Sequence, residues 1–151
     1  MISEELNELL NRAYRYSLSL TNNKDDAFDL VQDTYLKLCQ KNKPLVISYF
    51  ITSLRNKFID NKRKEKTENN YLNIRLTESE NPRFTPEPYL EILLLELKKR
   101  DREIIFLSIV EEYTAQEISD LMNIPRGTIL SILARTKKKL KGKLEEKKKV
   151  I

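Results

Sequence analysis

The sequence predicts an all-α fold: two small helical modules joined by a flexible linker, a bundle of three or four helices in front and a helix-turn-helix behind. Three observations carry this. Glycine and proline are scarce, two and five in 151 residues, while the long charged stretches are filled by Leu, Lys and Glu, which are good helix formers. Apolar residues recur at spacings of three and four along most of the chain instead of alternating. Between Thr67 and Pro88 that periodicity fails, in a run marked by Asn69, Asn70, Asn73, Asn81, Pro82, Pro86 and Pro88. A structureless stretch of that length is uncommon inside one compact domain, so it reads as a boundary. The sequence therefore divides into a module at 1–66, a linker at 67–88 and a module at 89–151.

Taken in order, the first helix runs from Ser3, with Leu6, Leu9, Leu10, Ala13, Tyr14, Ser17 and Leu18 as its apolar stripe, and ends at Thr21-Asn22-Asn23-Lys24. The second starts near Asp25 or Asp26, whose carboxylates favour the positive end of the helix dipole, and turns Ala27, Leu30, Val31, Thr34, Tyr35 and Leu38 inward. Lys41-Asn42-Lys43-Pro44 is a loop, because proline disfavours helix at the residue before it. A third helix, about 46–65, carries Tyr49, Phe50, Ser53, Leu54, Lys57 and Phe58 and finishes in Asn61-Lys62-Arg63-Lys64.

Beyond the linker, Tyr89, Ile92, Leu93, Leu95, Glu96 and Leu97 predict a helix ending around Lys98–Arg100, and Asp101-Arg102-Glu103 opens the next. Thr114-Ala115-Gln116-Glu117 is a capping-box pattern. The helix it starts carries Ile118, Leu121 and Met122 and stops at Asn123-Ile124-Pro125. The last helix begins near Arg126, turns Ile129, Ile132, Leu133, Thr136 and Leu140 inward, and passes Gly142 on its way into a lysine-rich tail.

Composition excludes several classes of function. There is no histidine, so the commonest general base and metal ligand is missing, and neither a nucleophile constellation nor a Gly-rich phosphate loop is present. The expectation is a non-enzyme without cofactor or metal. A single cysteine rules out an internal disulfide. Cys39 lies in a stripe with Tyr35 and Leu38, which predicts a buried structural thiol. Glu4, Glu5 and Glu8 stand where a signal peptide has its basic region, and no apolar run reaches the ~18 residues of a membrane span. The chain is expected to be cytoplasmic, without membrane insertion.

The net charge of +5 is unevenly placed: residues 46–66 hold six cations against two anions and residues 135–151 nine against two, while the intervening stretches are acidic. Two basic patches on two modules point to two contacts with a polyanion, although an isolated lysine run is usually a solvated face. Residues 114–136 have the spacing of a helix-turn-helix, whose second helix can enter the major groove. Arg135, Lys137, Lys138, Lys139 and Lys141 follow it, suited to phosphate contacts.

Two stretches carry a family resemblance. Leu97-Lys98-Lys99-Arg100-Asp101-Arg102-Glu103-Ile104, Tyr113-Thr114-Ala115-Gln116-Glu117-Ile118 and Ile124-Pro125-Arg126-Gly127-Thr128-Ile129 resemble region 4 of sigma factors. The run from Asp26 to Leu38 is similar to the core-binding helix of region 2, and Tyr49-Phe50, Leu54-Arg55-Asn56 and Asp60 before a basic run resemble its promoter-melting helix. With no N-terminal extension and no middle domain expected, the chain resembles the extracytoplasmic-function type of the sigma-70 family, the smallest sigma architecture.

The resemblance implies a dissociable subunit that directs core RNA polymerase to promoter DNA, melts it and starts transcription, with an anti-sigma factor as a further candidate partner. It places Asp29, Leu30, Gln32 and Asp33 on the face that docks on polymerase. Lys41, Asn42 and Lys43 would lie in the loop that receives a flipped −10 base, with Arg55 and Asn56 nearby, and Lys57, Lys62, Arg63 and Lys64 would hold the strand. Residues 126–135 would read the −35 element, the contact set being Arg126, Thr128, Leu130, Ser131, Ala134 and Arg135, with Lys138.

The chain departs from the family pattern at Leu130 and Ile132, where basic residues are usual, and at Tyr49, which replaces a tryptophan. Leu130, Ser131 and Ala134 can touch thymine methyls while Arg135 and the lysines grip phosphate; alternatively Leu130 is extra core or meets another protein. Two other functions stay open: a stand-alone helix-turn-helix regulator, which leaves the 25–65 pattern unexplained, and a sigma-like factor of a phage or mobile element that binds polymerase or DNA without initiating.

Overall fold

The computed structural model describes residues 3–72 and 97–150 and is helical throughout, as expected. Six helices are described: α1 (Glu4–Thr21), α2 (Lys24–Gln40), α3 (Ile47–Leu72), α4 (Lys99–Ile109), α5 (Ala115–Met122) and α6 (Arg126–Val150). They fall into two units, Met1–Pro82 and Arg83–Ile151. In the first, α1, α2 and α3 each pack against the other two; in the second, α4, α5 and α6 do the same.

Local chemistry sets the ends of the front helices. The Ser3 hydroxyl accepts from the Leu6 N–H at 3.1 Å, and Glu4 and Glu5 sit in the first turn of α1 against its positive end. Asn22 takes the left-handed conformation (φ 54°) and its N–H closes on the Leu18 carbonyl at 2.8 Å. Asparagine tolerates that conformation better than most residues. The next residue, Asn23, already caps α2, accepting from the Asp26 N–H at 2.9 Å. The cap thus precedes the expected start at Asp25 or Asp26, and both carboxylates lie in the first turn instead.

The front core is built from Ala13, Tyr16, Leu18, Leu20, Ala27, Leu30, Val31, Leu38, Phe50, Ile51 and Leu54. Each of its large side chains stabilises the unit by about 1.5–3 kcal/mol relative to exposure. Two hydroxyls within it are satisfied: Ser17 donates to the Ala27 carbonyl across the α1–α2 interface at 3.3 Å, and Thr34 donates to the Leu30 carbonyl at 2.8 Å.

Two expectations for this unit are corrected. Cys39 is exposed, not buried. The buried positions of α2 are Ala27, Leu30, Val31, Thr34 and Leu38, and one residue past Leu38 turns ~100° away from that stripe. Its side-chain hydrogen bond with Tyr35 raises the phenol above its ordinary pKa. Helix α3 also continues past the expected end near residue 65 to Leu72, so six residues of the expected linker are helical.

In the second unit α4 opens at Lys99 rather than Asp101. The helix expected at 89–100 and the linker at 73–88 lie largely outside the described residues. At their boundary Leu97 is buried, in a cluster with Ile105 and Leu140 to which Leu133 adds. Asp101, Arg102 and Glu103, expected at an ordinary helix start, are all buried, and desolvation lowers the pKa of the Arg102 guanidinium. The capping box of α5 is complete: Thr114 Oγ1 accepts from the Glu117 N–H at 3.1 Å and Glu117 Oε1 from the Thr114 N–H at 2.8 Å. Left-handed Asn123 (φ 57°) ends α5, and the Ser119 hydroxyl donates to the Ile124 carbonyl at 2.6 Å, fixing the turn into α6.

Candidate nucleic-acid interface

Helix α6 has two faces of opposite fate. Ile129, Ile132, Thr136 and Leu140, at spacings of three, four and four, are buried against the unit. Gly127, Ser131, Ala134 and Lys138, at spacings of four, three and four, are exposed and point the other way. All seven residues expected at a −35 contact, namely Arg126, Thr128, Leu130, Ser131, Ala134, Arg135 and Lys138, are exposed. Leu130 is 43% exposed, which removes the reading that it is extra core. Ile132 is 2% exposed, so its apolar character belongs to the core of the helix-turn-helix and not to a contact surface.

Arg135 is not wholly disengaged. Its guanidinium lies 3.8 Å from Asp101, whose other carboxylate oxygen is buried, without a hydrogen bond, 3.8 Å from the Arg100 guanidinium. Arg135 is largely exposed, so this pair contributes little stability. Lys137, Lys138, Lys139 and Lys141 continue the exposed cationic run.

On the first unit, Asp29, Gln32 and Asp33 are exposed on α2, whereas Leu30 is 4% exposed. Leu30 is therefore a correction: its side chain serves the core and belongs to no exposed patch, only contributing to a groove of about 320 Å³. That groove is lined by Asp26, Asp29 and Asp33 of α2, by Phe58, Asn61, Lys62 and Glu65 of α3, and by Thr21. Lys62 thus faces the same groove as the acidic residues; it lies 3.8 Å from Glu65 and 5.6 Å from the centre of the Phe58 ring.

Lys41, Asn42 and Lys43 are exposed in the α2–α3 connection. There Asn42 is left-handed (φ 53°) and the Lys43 N–H bonds the Leu38 carbonyl at 2.9 Å. Along α3, Arg55 and Lys57 are half-buried, and Asn56, Arg63 and Lys64 are exposed.

Sequence reasoning missed one surface. Phe28 and Leu36 are each 55% exposed on α2, four residues either side of Gln32 and flanked by Asp29 and Asp33. The signal was present: both lie off the buried stripe, and large apolar residues on a solvent face mark interaction sites. Among the described residues no cluster of His, Cys, Asp and Glu is placed to hold a metal, and no helix is long and apolar enough to cross a membrane.

A three-helix unit with an exposed apolar and acidic helix face, followed by a helix-turn-helix with a cationic outer face, defines a two-module DNA-binding protein. Residues 1–68 match the family model of sigma-70 region 2, and residues 89–140 that of sigma-70, region 4. The ECF RNA polymerase sigma factor SigM of Bacillus subtilis (strain 168) is 30% identical over 157 aligned positions, 93% of each chain. The sigma factor RpoE of Bartonella quintana, solved in complex with the anti-sigma factor NepR, shares the fold with a TM-score of 0.73 and 24% identity, over 94% of this chain and 95% of that one. The chain belongs to the sigma-70 family, in its extracytoplasmic-function group, and acts as an RNA polymerase sigma factor in promoter recognition.

Proposed function

We propose that this sigma factor assigns its two modules to three tasks: docking on core polymerase, opening the −10 region and reading the −35 element. The divisions are residues 1–66, a connecting stretch at 67–88 whose first six residues continue α3 as helix, and residues 89–151. The docking surface is the exposed face of α2, with Phe28 and Leu36 as apolar anchors and Asp29, Gln32 and Asp33 around them. Burying large apolar side chains inside a polar rim is how few residues carry most of a binding energy.

Opening the duplex belongs to the Lys41-Asn42-Lys43 connection and to α3. Extruding a base costs about a few kcal/mol, recovered by a receiving pocket and by phosphate neutralisation. Arg55, Asn56, Lys57, Lys62, Arg63 and Lys64 supply the polar and cationic groups for that strand. The exposed face of α6 enters the −35 major groove, where Arg126, Thr128, Leu130, Ser131 and Ala134 reach base edges and Arg135 and Lys138 the backbone. No step is catalysed by the chain itself; it works in the cytoplasm as an initiation factor, needs no cofactor, and is held in check by an anti-sigma protein. The last point is supported by the complex in which the structurally similar RpoE was solved.

The observation that carries this reading is the pairing, in one chain, of the exposed Phe28–Gln32–Leu36 face with the outward face of a helix-turn-helix. Run-off transcription with core polymerase, with and without the chain, tests it. Chain-dependent initiation is the expected result. DNA binding without core points to a stand-alone regulator, and core binding without transcripts to a sigma-like factor that does not initiate.

A further inference from the structure

From the structure we infer that α6 is a thymine-methyl reader, with Leu130 the residue that sets this preference and Ala134 and Ser131 completing it. The inference rests on the reading of α6 as the −35 recognition helix and names what that helix selects. Its starting point is Leu130, a large apolar side chain 43% exposed on the solvent side of a helix whose core needs are met by Ile129, Ile132 and Leu140. The neighbouring Gly127, Ser131 and Ala134 are small and exposed. They leave the helix backbone free to approach the groove floor, where a leucine can reach a base edge directly.

What such a surface tolerates follows from the groove itself. Guanine presents two acceptors, cytosine a donor, and adenine an acceptor beside a donor; thymine alone presents a methyl group next to one acceptor. A leucine laid over guanine, cytosine or adenine leaves a polar group without its water and without a partner, which is unfavourable. Over thymine it buries carbon against carbon. The remaining thymine acceptor suits a hydroxyl, and Ser131 is the exposed residue next to Leu130, with Thr128 three residues before it. Leu130 and Ala134 are one helical turn apart, about 6 Å along the axis, against about 3.4 Å between bases of a strand. The two apolar groups thus span about two base steps, so the selected thymines lie next to or one removed from each other.

The charged residues of α6 do not offer a competing readout at this point. Ile132 is buried and closed to the groove, and Arg135 lies beside Asp101, at 3.8 Å, five residues beyond Leu130. Arg126, at the first position of the helix, is placed to meet a guanine or a phosphate at one end of the site, outside the Leu130–Ala134 segment.

The test uses the full-length chain with core polymerase. Templates with randomised −35 and −10 segments are transcribed, the productive ones are sequenced, and each selected −35 thymine is then replaced by deoxyuridine, which keeps pairing and removes only the methyl. The expected result is a selected −35 element with thymines at two positions no more than two steps apart. At one of them deoxyuridine lowers initiation about fourfold, the worth of one buried methyl. Leu130→Ala brings the thymine template down to the deoxyuridine level and removes the difference between the two, while Leu130→Met, which keeps an apolar side chain, retains it.

Wild-type initiation indifferent to deoxyuridine at every selected position overturns the inference, as does a selected element with G·C pairs throughout. So does an equal loss on both templates in Leu130→Ala, which would assign the leucine to a protein contact. No initiation from any template by the wild type would overturn the sigma reading itself, a different outcome from all three.

Discussion

Replacing Ile132 and Leu130 in turn by lysine is expected to have opposite consequences, although the two residues are only two positions apart. Ile132 is 2% exposed, and burying such a side chain stabilises the unit by about 1.5–3 kcal/mol. A lysine there also carries its amine into the row formed by Ile129 and Thr136. If burial depresses that amine by about three pKa units, the cost at neutral pH is about 4 kcal/mol. A unit the size of Arg83–Ile151 is stable by about 3–10 kcal/mol, so Ile132→Lys removes most or all of it. Leu130→Lys, on the exposed face, shifts stability by less than about 0.5 kcal/mol.

Urea titrations followed by circular dichroism measure both. The lysine at 132 has a folded pKa below its unfolded value of about 10.4, so the unfolded state binds more protons between the two values and stability rises with pH. The damage in Ile132→Lys is therefore expected to fade between about pH 7 and pH 10.5. Equal midpoints for the two variants, or damage only at 130, would refute the orientation of α6 on which the whole interface depends.

Three further outcomes are expected. Thr114→Ala destabilises the second unit by about 1 kcal/mol, and Thr114→Ala with Glu117→Ala less than additively, because the two residues cap each other; a double-mutant cycle by chemical denaturation reads both. Phe28→Ala and Leu36→Ala leave the thermal unfolding midpoint within error, since both side chains are more than half exposed. Each weakens binding to core polymerase by about 1–2 kcal/mol, roughly five- to thirtyfold, in a titration calorimetry or fluorescence assay. Asp29→Asn with Asp33→Asn raises the affinity of the free chain for single-stranded DNA. At ~8 Å in a water-like medium each carboxylate repels a phosphate by about 0.5 kcal/mol, a few-fold effect for the pair that shrinks as salt is added.

Much of this architecture was legible in the residues because its signals are local. Ser3, Asn22, Thr114 with Glu117, and Asn123 act on backbone groups within four residues of themselves, so their caps and stops could be read without knowing any tertiary contact. Most of the inward set of α6 was legible for a related reason: Ile129, Ile132, Thr136 and Leu140 recur at helical spacing among small and cationic residues, and only Leu130 was left with two readings. The failures occur where burial depends on a partner element. Cys39 follows Leu38 and stands four residues after Tyr35, so it sits at the margin of the stripe, and the edge of the surface covered by α1 and α3 decides that it stays exposed. The family resemblance places Leu30 on the docking face, yet the motif mixes core and surface positions of one helix, and Leu30 is buried. Asp101, Arg102 and Glu103 look like a solvated helix start in sequence, and no local pattern announces that all three are buried.

The shared groove of the first unit gives these surfaces a physical connection. Asp26, Asp29 and Asp33 form one side and Lys62 lies on the other, already near Glu65 and the Phe58 ring. A nucleic-acid strand approaching Lys62 therefore meets the carboxylates that line the same groove and is partly repelled, the more so at low salt. A basic partner seated on Asp29 and Asp33 neutralises that repulsion. In the proposed reading that partner is core polymerase, so occupation of the α2 face strengthens the hold of α3 on the strand. By thermodynamic reciprocity the strand strengthens the hold of the α2 face on the polymerase by the same factor. In that reading the acidic residues do two things at once: they contribute to docking, and they bias the free chain against engaging single-stranded DNA before docking has occurred.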